Sequence, residues 1–297
     1  MKHAYLLLTH EFTPILETLI RMIDDERNDI YVHIDKKVLV SYEDRIRNLV
    51  KKSKLFFVRS VRVYWGHVSL VMAEYSLFQE ARNNGSYSFY HLLSGSDLPT
   101  RSQDEIWDFF EERKGREFIS FSKEEMPERV MYKWPFSKHL RGLCTDRKWI
   151  YRKINVAQAA LTAFCIGFQK KMGYKNHVFP TYKKGSEWVS LTEKAVDILL
   201  EYKHKTIKGF KHANCPDEHY KQTILFCVKN GLLPSVSDDY CQLVFNDSYR
   251  FIPWGKGSLD LTIKDYDDII DSGAMFCRKV VDEALAEKLY ERCCKNS

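Results

Sequence analysis

The chain has 297 residues, with 46 Lys plus Arg against 40 Asp plus Glu, a formal net charge of +6, 44% hydrophobic and 29% charged residues. That balance excludes disordered and fibrous classes and leaves enough chain to bury a large α/β core. No run of 18 apolar residues occurs, which excludes a membrane-spanning helix.

The apolar run at 4–8 is too short for a signal peptide, so the sequence reads as mature from Met1 and as cytoplasmic. Eight cysteines contain no Cys-x-x-Cys pair and read as reduced thiols rather than disulfides or zinc ligands. The mild positive charge suits anionic partners such as nucleotide diphosphates or lipid head groups. It is too weak to argue for nucleic acid.

In chain order, residues 4–9 read as a buried strand, 13–23 as a helix, 30–34 as a strand, 42–50 as a helix and 55–58 as a strand. Residues 68–81 carry a broad apolar helical face. They are followed by a strand at 89–93, a helix at 103–112 and a strand at 117–121. Strands taking turns with helices predict an α/β fold, a mostly parallel central sheet with helices on both faces. Ligands of such sheets sit at the carboxyl ends of strands. His10, Asp35 and the run Ser94, Gly95, Ser96 and Asp97 all fall there, which makes them candidate binding residues.

Residues 122–180 differ: aromatic and basic residues interleave, and 156–168 is a 13-residue apolar stretch flanked by Arg152, Lys153, Lys170 and Lys171. Two readings stay open for it: a buried amphipathic helix or lid, and an interfacial helix touching a membrane. From 187 the alternation resumes, with a strand at 187–191, helices at 193–204 and 219–230, a strand at 249–252, a helix at 264–271, a strand at 274–277 and a last helix from 282. With no repeat or linker, residues 1–297 read as one domain with an irregular middle insertion.

Pro216, Asp217 and Glu218 precede a helix; Asp217 reads as its N-cap, and Glu218 falls in the first turn, where a carboxylate facing a cleft suits general-base chemistry. The ordinary alternative is two acids favouring a helix start. Arg278 and Lys279 follow an apolar run, and Lys256 lies between two glycines; such cations clamp a diphosphate or decorate a solvated surface. Asp238 with Asp239, and Asp265 to Asp268, lack the strand-end context of a metal site, so no metal and no cofactor is expected. Nucleophile-elbow, dinucleotide and phosphate-loop motifs are absent from the sequence.

Eight segments in order, HAYLLLTH (3–10), YVHIDKK (31–37), VYWGHVSLVMAE (63–74), FYHLLSGSDLPTRSQDEI (89–106), GSEWVSLT (185–192), CPDEHYKQTIL (215–225), FIPWGKGS (251–258) and AMFCRK (274–279), resemble the core-2/I-branching β-1,6-N-acetylglucosaminyltransferases, which share a family with the peptide O-xylosyltransferases. The likeness covers 3–121 and 185–280 and fades between. It implies a GT-A-like, inverting, metal-independent transferase that moves a GlcNAc- or xylose-type sugar from a UDP-sugar to a glycan hydroxyl.

By that resemblance Glu218 is the catalytic base, and Lys279, Arg278 and Lys256 meet the donor diphosphate. His10, Asp35, Trp65, Gly66, Ser94, Gly95, Ser96 and Asp97 serve the nucleotide sugar, while Trp188 and Asp217 face the acceptor. Residues 1–121 form the nucleotide-sugar half, 122–180 an acceptor- or membrane-facing segment and 181–297 the catalytic and acceptor half. The animal members carry a membrane anchor and disulfides that this sequence lacks. The resemblance therefore implies a cytoplasmic bacterial relative, peripheral at the inner membrane when it acts on a lipid-linked oligosaccharide or surface polysaccharide. A glycan hydrolase using Glu218 and Asp217, and a non-catalytic carbohydrate- or nucleotide-binding protein, are the competing readings.

Overall fold

The computed structural model describes residues 1–139, 149–234, 244–254 and 258–295, with side chains from 152 onward in the second stretch. The first half runs β1 (Lys2–Thr9), α1 (Pro14–Ile23), β2 (Asn28–Ile34), α2 (Glu43–Leu49), β3 (Lys54–Phe57), α3 (Val68–Asn84), β4 (Tyr87–Ser94), β5 (Leu98–Pro99), α4 (Gln103–Glu111) and β6 (Arg116–Phe118). Next come α5 (Glu128–Met131), α6 (Trp149–Lys171), β7 (Ser190–Leu191), α7 (Glu193–Glu201), α8 (Lys203–Gly209), a single 3-10 turn (Pro216–Glu218) and α9 (Tyr220–Lys229). The chain closes with β8 (Val244–Asn246), β9 (Arg250–Phe251), α10 (Tyr266–Asp271), β10 (Phe276–Cys277) and α11 (Glu283–Tyr290).

Seven strands form one sheet in the order β3-β2-β1-β4-β7-β6-β8. The first four are parallel, with Leu7 of β1 beside Val32 on one side and Leu93 on the other; β7 alone runs antiparallel to both neighbours. A small sheet, β5-β10-β9, caps the carboxyl end of β4. The expected α/β architecture is therefore present.

Alternation along β1 separates the two cores, since successive side chains point to opposite faces. Tyr5 and Leu7 join α1, α4 and α11, while Ala4, Leu6 and Leu8 join α3, α7 and α9. The helix starts follow side-chain chemistry: Thr13 caps α1 through Leu16 N, and Ser102 with Glu105 forms a capping box on α4.

Three expected elements change. The strand expected at 187–191 narrows to Ser190–Leu191; ahead of it Trp188 N donates to Ser186 Oγ (3.3 Å) instead of to a ladder. The helix expected at 193–204 breaks at Tyr202, whose buried side chain donates to Pro234 O at 2.7 Å. The reading of the middle stretch as a buried helix fails. No described side chain of α6 is buried, and the helix lies on the surface.

Candidate active site

The carboxyl ends of β1, β2 and β4 are tied together by their backbones: Asp35 N donates to Thr9 O (2.9 Å) and Gly95 N to Leu8 O (3.1 Å). Asp35 is buried, and its Oδ1 accepts from Lys37 N (2.9 Å) and Val63 N (3.3 Å), which fixes the loop leading to Trp65 and Gly66. Trp65 is half exposed beside this edge. Gly66 adopts φ 65°, a conformation glycine takes without a Cβ penalty, and its carbonyl accepts from Cys215 N at 2.8 Å. The tryptophan-glycine loop therefore abuts the segment that carries Glu218. His10 is exposed and faces only Glu11, at 3.5 Å, among the described residues.

After β4 the chain folds on Asp97, whose buried carboxylate accepts from Ser94 N (2.9 Å) and Ser94 Oγ (2.8 Å). The same turn meets the chain after β10: Val280 N donates to Ser96 O (2.9 Å), and Arg278 Nη1 stands 3.5 Å from Asp97 Oδ1. Arg278 lies over Trp188, its guanidinium carbon 3.9 Å from the ring centroid. Trp188 is only 7% exposed, so its expected use as an open stacking platform for sugar is corrected: it is the floor beneath Arg278. Lys279 is exposed, and its ammonium makes no ion pair with the described residues. Lys256, like Asp238 and Asp239, lies outside the described residues.

The base segment is a 3-10 turn rather than the first turn of the helix. Glu218 Oε2 receives Arg129 Nη1 at 2.8 Å and has Lys184 Nζ at 3.7 Å, with its side chain 31% exposed. Two cations orient this carboxylate, while a third of it remains open to a reactant. Gly185 carries the backbone contact to Glu218, and a Cβ there would fall 1.9 Å from Ser120 O, so only glycine fits.

Asp217 does not cap the helix as expected. It is 6% exposed, with Oδ1 buried and unpaired among the described residues. Beneath the turn sits Glu74, fully buried, which accepts from Tyr220 Oη at 2.5 Å and pairs with the equally buried Lys221. Burial first, then Glu74 and Glu218, push the Asp217 carboxyl up to about 7. Burial, followed by Asp217 and Glu74, raises Glu187 well above the usual carboxylate range, and Arg278 pulls it back. Three acids thus gather around one buried lysine.

Sequence reasoning missed Arg129, Lys184, Glu74, Glu187 and Lys221. One signal was present: Glu74 falls three residues after Val71 and four before Phe78, on an apolar helical face where an acid needs a buried partner. Among the described residues, no group of three or more His, Cys, Asp or Glu is arranged to hold a metal ion. A groove of about 630 Å³ lies elsewhere, between Trp134, Phe136 and α6, and no carboxylate lines it.

Residues 3–258 match the family profile of the Core-2/I-Branching enzymes. Over 160 residues the chain is 24% identical to a Mus musculus beta-1,3-galactosyl-O-glycosyl-glycoprotein beta-1,6-N-acetylglucosaminyltransferase 4, an alignment of 53% of this chain and 35% of that protein. The chain therefore spans about a third of that relative's length. Mouse xyloside xylosyltransferase 1 in its apo form aligns over 93% of this chain and 97% of its own, at 10% identity and a TM-score of 0.38. A glycosyltransferase involved in glycosylation of the major capsid of PBCV-1 aligns over 98% and 100%, at 10% identity and a TM-score of 0.36.

Proposed function

The chain belongs to the core-2/I-branching enzyme family, and from that membership we propose an inverting glycosyltransferase of GT-A type that uses a UDP-sugar and no metal. Glu218 takes the proton of an acceptor hydroxyl as that oxygen attacks the anomeric carbon from the face opposite the nucleotide. The bond from the anomeric carbon to the β-phosphate oxygen breaks, and its electron pair leaves with UDP. Arg278, braced on Trp188, and Lys279 meet the charge that develops on the diphosphate. The strand-end residues Asp35, Ser94 and Ser96 take the nucleotide side. The transferred sugar is of GlcNAc or xylose type, and the acceptor is a glycan hydroxyl of a surface polysaccharide or lipid-linked oligosaccharide.

The observation that carries this reading is convergence. The segment 185–188 touches both groups: Gly185 N donates to Glu218 O at 2.9 Å, and Trp188, three residues on, lies under the Arg278 guanidinium at 3.9 Å. That short span supports a single site for base and cations. A hydrolase would need two opposed carboxylates bracketing a bond, and Asp217 is buried instead.

Thermal-shift titration with UDP, followed by mass spectrometry of slow donor hydrolysis across UDP-sugars, tests the reading. We expect stabilisation by UDP and hydrolysis of one or two UDP-sugars. No stabilisation by UDP and no donor consumed would contradict it.

A further inference from the structure

Helix α6 (Trp149–Lys171) is built inside out. Its polar residues face the protein: Gln158 Nε2 donates to His139 O (2.7 Å), and Gln169 exchanges two hydrogen bonds of 2.9 Å with the backbone of Lys133. Val156, 68% exposed, and Phe164, 71% exposed, face outward together with Leu161, Phe168 and Met172 just past the helix end, while Ile166 lines the groove toward Trp134 and Phe136. A soluble surface helix has the reverse arrangement, and a contiguous outward apolar face marks an interaction site.

Charge narrows the partner. The helix contains no Asp or Glu and carries Arg152, Lys153, Lys170 and Lys171. Lys153 and Lys171 are both exposed, and they lie on the azimuth of the apolar stripe at its two ends, because 18 residues make five full turns and span about 27 Å. An apolar strip with a cation at each end, long enough for its lysines to reach head groups on either side, is the arrangement of a helix lying in a bilayer interface. A protein-facing surface would not need its cations confined to the ends.

We propose that the outward face of α6 docks the protein on an anionic lipid bilayer. Phe164, Phe168 and Leu161 enter the acyl boundary, and Lys153 and Lys171 meet lipid phosphates. The docked face is tied to the candidate base by one turn of chain: Lys170 pairs with Glu128 at 2.6 Å, and the adjacent Arg129 holds Glu218. The inference does not depend on the proposed chemistry, since vesicle binding is read without turnover.

Flotation of the whole protein with phosphatidylcholine vesicles, with and without phosphatidylglycerol, at low and high salt, tests it. The protein is expected to float with the anionic vesicles and to weaken at high salt. The Phe164→Glu/Phe168→Glu variant is expected to lose about tenfold or more in apparent affinity, and Lys153→Glu/Lys171→Glu to lose the preference for anionic lipid. Both variants alter exposed positions and should keep wild-type thermal unfolding. Absence of flotation, flotation indifferent to lipid charge, or a phenylalanine variant that floats like wild type would each overturn the proposal.

Discussion

Arg129 meets Glu218 and the chain ahead of it: its Nη1 lies 2.8 Å from the Glu218 carboxylate, and its own carbonyl accepts from Asn214 N at 2.8 Å, just before the turn that carries Glu218. One residue thus bridges the carboxylate of the candidate base and the segment leading into its turn. Removing the guanidinium leaves Lys184, farther off at 3.7 Å, to orient the carboxylate. Arg129→Met is therefore expected to lower kcat by about 10–100-fold, the cost of a misplaced catalytic group, while KM for the donor stays near wild type. Steady-state kinetics with an unchanged kcat would contradict the positioning role.

Arg278 rests on Trp188, so in the proposed reaction its position opposite the diphosphate depends on that ring. Trp188→Leu and Arg278→Ala are each expected to weaken UDP binding by about tenfold, the scale of one charge-assisted contact. The double variant should lose little more than either single one, because both act through one guanidinium. Calorimetric titration checks this; additive losses would mean that the two residues act separately.

Much of this architecture was legible in the sequence. Buried strands at β1, β2 and β4 were evident because parallel strands covered on both faces are continuously apolar, and Asp35 and Ser94 stood at their ends. The Pro216 break marked the turn that carries Glu218. Less legible were features set by tertiary packing. Nothing local distinguishes a Trp188 open to sugar from one lying beneath Arg278, or an Asp217 that caps a helix from one that is buried with its Oδ1 unpaired among the described residues. The partners of Glu218, Arg129 and Lys184, come from segments 89 residues before it and 34 residues before it. The middle stretch allowed both a buried and an interfacial helix, and α6 faces outward; periodicity identifies an apolar face without saying what covers it.

The Glu74–Lys221 pair lies entirely out of water. Breaking such a pair leaves an uncompensated buried charge, which costs about 3–5 kcal/mol. Lys221→Met is expected to lose stability on that scale in urea unfolding, and Glu74→Leu combined with Lys221→Met to recover most of it. A single variant as stable as wild type would show that Glu74 is already neutral.

Asp217 gives stability a pH dependence of known sign. Its carboxyl is held up to about 7 in the fold, against about 4 when unfolded. The native state therefore keeps a proton that the unfolded chain releases. This contribution is fully present below about pH 4 and is lost as pH rises through about 7. Asp217→Asn, which cannot ionise, should match wild type in acid and become progressively more stable than it toward pH 8. Urea unfolding across this range checks the difference between the two proteins. A gap that does not grow with pH would contradict the buried, protonated carboxyl.

The most direct test is Glu218→Gln, assayed for both turnover and UDP binding on the same preparation. The amide preserves the shape at Arg129 while removing the proton acceptor, so sugar transfer should fall by about 10²–10⁴-fold with UDP affinity unchanged. A variant that turns over at near wild-type rate would contradict the assignment of Glu218 as the base.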